Sequence, residues 1–282
     1  MNHVHHTAWL ATDGTAARSL SDARLQLHHA AQLGTALGIS YLPKAVDDSH
    51  TNLGWNRARG TLESRAASGL RGAVSVGVRA ADLTLLVLRD HAEFAPIPLH
   101  GLTIEAAGAA LRGTLASAGL DPAPWTLNRH YELPPHAVAS GAPFDASNRP
   151  ALEQLSWWFG NASLELERLA RTQTDASEVR VWPHHLDIAT LIALGGGRTT
   201  GAGLAPGDQY YDEPYFYVNA YPPPRAEQLT DTLAGGGTWH THEWIGAVLP
   251  GSHLTGDAAR QRAQVREFLE SAVSACRRLA SG

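Results

Sequence analysis

Four long runs of apolar residues at three- and four-residue spacing, separated by short segments in which apolar residues alternate, restrict this chain to helices packed on an antiparallel sheet. The first run is Leu20, Ala23, Leu27, Ala30, Gly34 and Leu37. It predicts a helix over 19–37, with Ser19 as N-cap and Gly38 just past the end. His28 and His29 fall inside it about 100° apart, so they cannot serve one site and are expected on solvated faces. The second run, Ile104, Ala107, Leu111, Leu115 and Ala118, lies between a Thr103 cap and Gly119. The third follows Asn148 and Pro150 with Leu152, Leu155, Phe159, Ala162, Leu166 and Leu169. The fourth starts near Asp257 and turns Val265, Phe268, Leu269, Ala272, Val273, Cys276 and Leu279 inward.

Strand patterns fill the gaps. They run through 51–88, clearest in Val74, Val76 and Val78, with a turn at 80–82 and with Pro96 and Pro98 as stops. They return at 125–133, where Trp125, Leu127, Arg129, Tyr131 and Leu133 alternate, and again at 182–189, 215–220 and 237–249. The fold class is therefore α+β, with mostly antiparallel sheet and about four long helices against it. Pro98-Leu99-His100-Gly101-Leu102-Thr103 and Pro250-Gly251-Ser252-His253-Leu254-Thr255 each lead into a long helix, which favours two similar halves. The division expected is a loose start over 1–18 holding three histidines, a half over 19–147, and a half over 148–282 that carries the candidate site. One continuous domain is the alternative.

Composition narrows the partners. With 44% hydrophobic and 17% charged residues the chain can fill a core, and a net charge of −5 gives no reason to expect nucleic acid or an anionic membrane. A small molecule fits better. Lys44 is the only lysine, so Schiff-base chemistry has a single candidate. Cys276 is the only cysteine, which excludes an intramolecular disulfide. The first residues contain no apolar run of signal-peptide type and no stretch reaches the length of a membrane span, so the cytoplasm is the expected location.

Chemistry concentrates in Trp182-Pro183-His184-His185-Leu186-Asp187-Ile188-Ala189, the loop expected from Gly201 to Asp208, and Asp212-Glu213-Pro214-Tyr215-Phe216-Tyr217-Val218. If the first stretch is extended, His185 and Asp187 share a face about 6.6 Å apart. In Trp239-His240-Thr241-His242-Glu243-Trp244, His240 and His242 share a face in the same way. Histidine pairs with a carboxylate match the ligands of zinc, iron or manganese, so His184, His185, Asp187, His240 and His242 form the expected divalent-metal set. In the catalytic reading His185 and Asp187 act as ligands, or as base and orienting carboxylate, with Glu213 as a second carboxylate. Trp182, Asp208, Tyr215 and Tyr217 line the expected substrate site. The glycine triplets at 195–197 and 235–237 lack a phosphate-loop pattern, and no G-x-S-x-G elbow occurs.

The pattern Trp182-Pro183-x-His185-x-Asp187-x-Ala189, then Pro206-Gly207-Asp208, then Glu213-Pro214-Tyr215-x-Tyr217-Val218, resembles an uncharacterised bacterial family, a domain of unknown function. The likeness is sharpest from Trp182 to Ala247. It implies a shared polar site at His185, Asp187, Asp208, Glu213, Tyr215 and Tyr217. Two positions depart from it: His184 stands where glutamate is typical, and Trp239-His240 where Trp-Asn is typical, with no counterpart of His242. The resemblance supplies no reaction. Two functional readings follow from the residues: a small-molecule enzyme performing metal-assisted hydrolysis or proton transfer, and a ligand-binding or structural protein in which the same residues form a buried polar network.

Overall fold

A computed structural model describes residues 8–13 and 20–281; Ser19 and the three histidines of the first six residues lie outside the described residues. Among the described residues four α-helices form, α1 (Ser21–Tyr41), α2 (Ile104–Ala118), α3 (Arg149–Arg171) and α4 (Ala258–Ser281), together with twelve strands. The strands are β1 (Leu53–Asn56), β2 (Thr61–Ser64), β3 (Ala67–Gly69), β4 (Gly72–Arg79), β5 (Thr84–Arg89), β6 (Ala92–Pro98), β7 (Arg180–Trp182), β8 (Asp187–Gly195), β9 (Arg198–Ala205), β10 (Tyr215–Tyr221), β11 (Thr238–His240) and β12 (Gly246–Pro250). Neighbouring strands run antiparallel, so the fold is α+β as the periodicities require. Among the described residues, no helix is long and apolar enough to cross a membrane.

The chain divides into two compact units. One comprises Asp22–Ser156 with Val181–Leu186, the other Trp157–Arg180 with residues 187–281, 8–13, 20 and 21. In the first unit the strand order is β7-β1-β2-β4-β5-β6, with β3 also on β4. Pro98 is the last residue of β6, the stop that the sequence predicts, whereas Pro96 lies within the strand; it is tolerated there because β6 is outermost and proline's missing N–H can face away from the ladder. Helix α2 is capped as the sequence predicts: the Thr103 side chain accepts from Ala106 N, and Gly119 closes the helix at φ 100°.

Helix α1 departs from expectation twice. It runs through Gly38, where a Cβ would stand 2.2 Å from the carbonyl oxygen of His50, so this glycine serves close packing and not termination. His28 and His29 are also buried instead of solvated, at 3% and 1% exposure. His28 Nε2 lies 2.9 Å from the carbonyl oxygen of Pro183, which accepts from Gln32 Nε2 as well (3.0 Å). The alternating segment 125–133 forms no strand. Its polar groups are met by α1 in place of a ladder: Thr126 N donates to Ser40 Oγ, and the Tyr131 hydroxyl donates to Gln32 Oε1 (2.7 Å).

In the second unit the order is β11-β12-β10-β9-β8. Register places Ile188, Leu204, Phe216 and Leu249 in one row, all buried, on the face that α4 covers. Phe268 and Cys276 of α4 are enclosed there as their spacing predicts, with Cys276 Sγ 4.0 Å from the carbonyl oxygen of Val218. Glu165 of α3, fully buried, is met by Arg168, Arg262 and Arg266, which hold its carboxyl down at about 2 against the opposing pull of burial.

Candidate aromatic and carboxylate site

The other face of the second unit's sheet carries Asp187 of β8, Gly203 and Ala205 of β9, Tyr215 and Tyr217 of β10, and His240 of β11, because side chains two apart in a strand share a face. Tyr217 is paired directly with Gly203, yet its hydroxyl donates to Asp187 Oδ2 on the strand beyond. The ring reaches across β9 because nothing stands at position 203: a Cβ there would lie 2.7 Å from the Tyr217 hydroxyl oxygen and 2.8 Å from the carbonyl oxygen of Ile188. Residues 201–205, expected as loop, are strand. Gly203 and Ala205, paired with Tyr217 and Tyr215, form the floor on which the tyrosines lie.

Tyr215 donates to Asp208 Oδ2 (2.6 Å), while Asp208 Oδ1 accepts from Tyr210 N and Tyr211 N and fixes the turn between β9 and β10. That turn swings Tyr211 against Tyr215 (ring centroids 4.7 Å apart) and brings its hydroxyl 2.9 Å from His240 Nδ1. His240 Nε2 is 2.6 Å from the carbonyl oxygen of His242. A carbonyl only accepts, so Nε2 carries the proton and, in the neutral ring, Tyr211 donates to Nδ1. The imidazole stacks on Trp244 at 4.4 Å, and Tyr210 packs edge-on to both rings. Burial raises the Tyr217 phenol well above its ordinary value, and the Asp187 charge adds to this. Burial and Asp208 do the same to Tyr215, so both hydroxyls are firm donors.

The other predicted residues are placed differently. Asp187 opens β8, but His185 lies before it in the turn 183–186, where Leu186 takes a left-handed φ of 58°. The extended geometry that would align His185 with Asp187 is therefore absent. His185 is exposed. His184 is half-buried beside Trp182 and Tyr131 in the first unit, and burial, with His185 and His130 nearby, pushes its imidazole down to about 4. β11 ends at His240, leaving His242 exposed and only its carbonyl engaged. The expected His240 and His242 pair does not form, since both His240 nitrogens already have partners. Glu213 is committed to the turn after β12, accepting from Ser252 N (2.5 Å) and Ser252 Oγ (2.8 Å). Among the described residues, no group of three or more His, Cys, Asp or Glu side chains is arranged to hold a metal ion, so the five-residue ligand set is not assembled.

Asp187, Asp208, Tyr215, Tyr217 and His240 thus come together, joined by Tyr210, Tyr211 and Trp244. Neither Tyr210 nor Tyr211 has a periodic signal; the Asp208 turn, a readable Pro206-Gly207-Asp208 motif, is what delivers them. No protein-family model matches this chain, no curated protein matches it, and no solved structure matches its fold.

Proposed function

We propose that this is a small-molecule-binding protein whose ligand rests on the aromatic and carboxylate face of the second unit. The observation that carries the reading is that Tyr211, Tyr215 and Tyr217, each held by its own acceptor, are fixed in orientation around two carboxylates while remaining only partly covered at Tyr211 and Tyr217. Such pre-set rings lose little freedom when a ligand stacks on them. A proton-transfer enzyme is the second reading, favoured by the Tyr217 hydroxyl held against Asp187, a donor and a base in contact. We further place the protein in a bacterial cytoplasm, supported by the family likeness of the Trp182 to Ala247 motifs and by a single, buried thiol.

The test is ligand-observed NMR of a fragment library spanning cations, anions and neutral compounds, run against the wild type and Trp244→Leu. Hits that disappear in the variant support the binding reading. Turnover of a hit, abolished by Asp187→Asn, would replace it with the enzyme reading. A library with no hit dependent on Trp244 overturns both.

A further inference from the structure

Residues 8–13 of the second unit form no helix or strand, yet part of their main chain is bound as a strand's would be. Asn161 of α3 takes both polar groups of Leu10: its Oδ1 accepts from Leu10 N (2.9 Å) and its Nδ2 donates to Leu10 O (2.7 Å). Two residues on, Gln261 of α4 does the same for Thr12, Oε1 accepting from Thr12 N (3.0 Å) and Nε2 donating to Thr12 O (2.9 Å). A neighbouring strand pairs alternate residues in this way, both groups of each along one edge. Here two side-chain carboxamides replace it. Both are buried, at 1% and 3% exposure, and both are pre-set: Asn161 lies one turn before Glu165, and Gln261 beside Arg262, the two residues whose ion pair joins α3 to α4.

Side chains supply the anchor. Trp9 is buried with its ring stacked on Phe216 (6.5 Å, 21°), and Phe216 packs in turn against Trp158, one turn before Asn161 on α3. Thr12 is buried too, its hydroxyl 3.4 Å from Gln261 Oε1, whereas Leu10 is half-buried and Ala11 exposed. Main-chain bonds that any sequence can make, with pockets at chosen side chains for selection, are the means by which folded domains recognise extended peptides.

We infer that the groove where α3 meets α4 is a peptide-docking site whose resident occupant is Trp9-Leu10-Ala11-Thr12, and that the partner it fits is an extended segment of another protein with an aromatic residue three places before a threonine or serine. Because it belongs to the same chain, the resident segment competes at an effective concentration on the order of millimolar, and a partner enters only by displacing it. This groove lies on the α4 side of the sheet, the face opposite the tyrosines and carboxylates.

Fluorescence anisotropy of a labelled peptide of residues 7–14, Thr-Ala-Trp-Leu-Ala-Thr-Asp-Gly, against the full chain tests the inference. Trp9→Ala removes the anchor of the resident segment, so this variant should bind the peptide about tenfold or more tighter than wild type does. The same peptide N-methylated at the positions of Leu10 and Thr12 keeps its side chains but lacks the two N–H donors, and should lose about tenfold or more in affinity, a change that non-specific apolar association does not register. Circular dichroism melts establish that the variant is folded. If it is not, Thr12→Pro takes its place, since proline lacks both the N–H and the hydroxyl that Gln261 meets. Failure of both variants to fold would make the segment a fixed part of the core and overturn the inference. Equal binding by wild type and variant, unaltered binding of the methylated peptide, or no saturable binding to a folded variant would do so as well. A wild type that dimerises in light scattering, with the dimer abolished by Trp9→Ala, would give the groove to a second copy of this chain and overturn its assignment to a separate partner.

Discussion

The Tyr217 hydroxyl reaches the carboxylate of Asp187 across an intervening strand, over the bare backbone of Gly203. Gly203→Ala places a methyl group where the phenol now lies and 2.8 Å from the backbone oxygen of Ile188, which cannot rotate away. The substitution should cost about 1–3 kcal/mol, as overpacking does. Urea unfolding of Gly203→Ala against wild type measures it, and Gly203→Ala combined with Tyr217→Leu should recover part of the loss. An alanine variant as stable as wild type would show that the ring does not lie there.

A double-mutant cycle on Tyr217→Phe and Asp187→Asn isolates the pair. A hydrogen bond to a carboxylate should give a coupling of about 1.5–3 kcal/mol in unfolding free energy. A coupling near zero would mean that the two side chains are stabilised independently.

The first unit should lose stability in mild acid. Burial pushes the His28 imidazole from 6.5 down to about 4, with His29, His185 and Arg24 adding positive charge around it and Pro183 O opposing the shift. Its folded value lies below its unfolded one, so the unfolded chain binds the proton first. The contribution is complete above pH 6.5 and is lost as pH falls from there through 4, amounting to on the order of 3 kcal/mol. Urea midpoints at pH 7.0 and 4.5 for wild type and His28→Gln check this: the wild type should lose more between the two conditions than the variant does. Equal losses would refute it.

Glu165 anchors the second unit in a different way, with three arginines around one buried carboxylate. Glu165→Gln removes the charge that those guanidinium groups converge on and should cost about 3–5 kcal/mol. The thermal midpoint reads it directly. Retention of the wild-type midpoint would show that the arginines are satisfied by solvent.

Much of the fold is legible in the sequence because burial on one side of an element leaves a period. Thr103 and Gly119 mark α2, and Phe268 with Cys276 marks the inner face of α4, by rules that act within a few residues. The misreadings share a physical cause: a local signal was outweighed by a distant contact. Gly38 resembles a stop but accommodates His50, and the alternation in 125–133 is satisfied by side chains of α1. Gly201 and Gly203 look like loop yet lie in β9, where Gly203 leaves room for Tyr217. Asp187, Asp208, Tyr215 and Tyr217 could be chosen from the sequence as polar and aromatic residues in strand context. The hydrogen bonds from the tyrosines to the carboxylates could not, since they depend on the register between strands and on the turn at Asp208. The pairing expected of His185 with Asp187 was lost to one left-handed residue, Leu186.

Cys276, enclosed behind Val218 with its thiol pushed up to about 12 by burial, is the only sulfhydryl in the chain. A thiol so protected reacts only from molecules in which α4 has come away from the sheet. The chain therefore carries its own stopwatch. The ratio of the slow modification rate to that of a free cysteine gives the fraction of time this helix spends detached, with no label introduced and no residue changed.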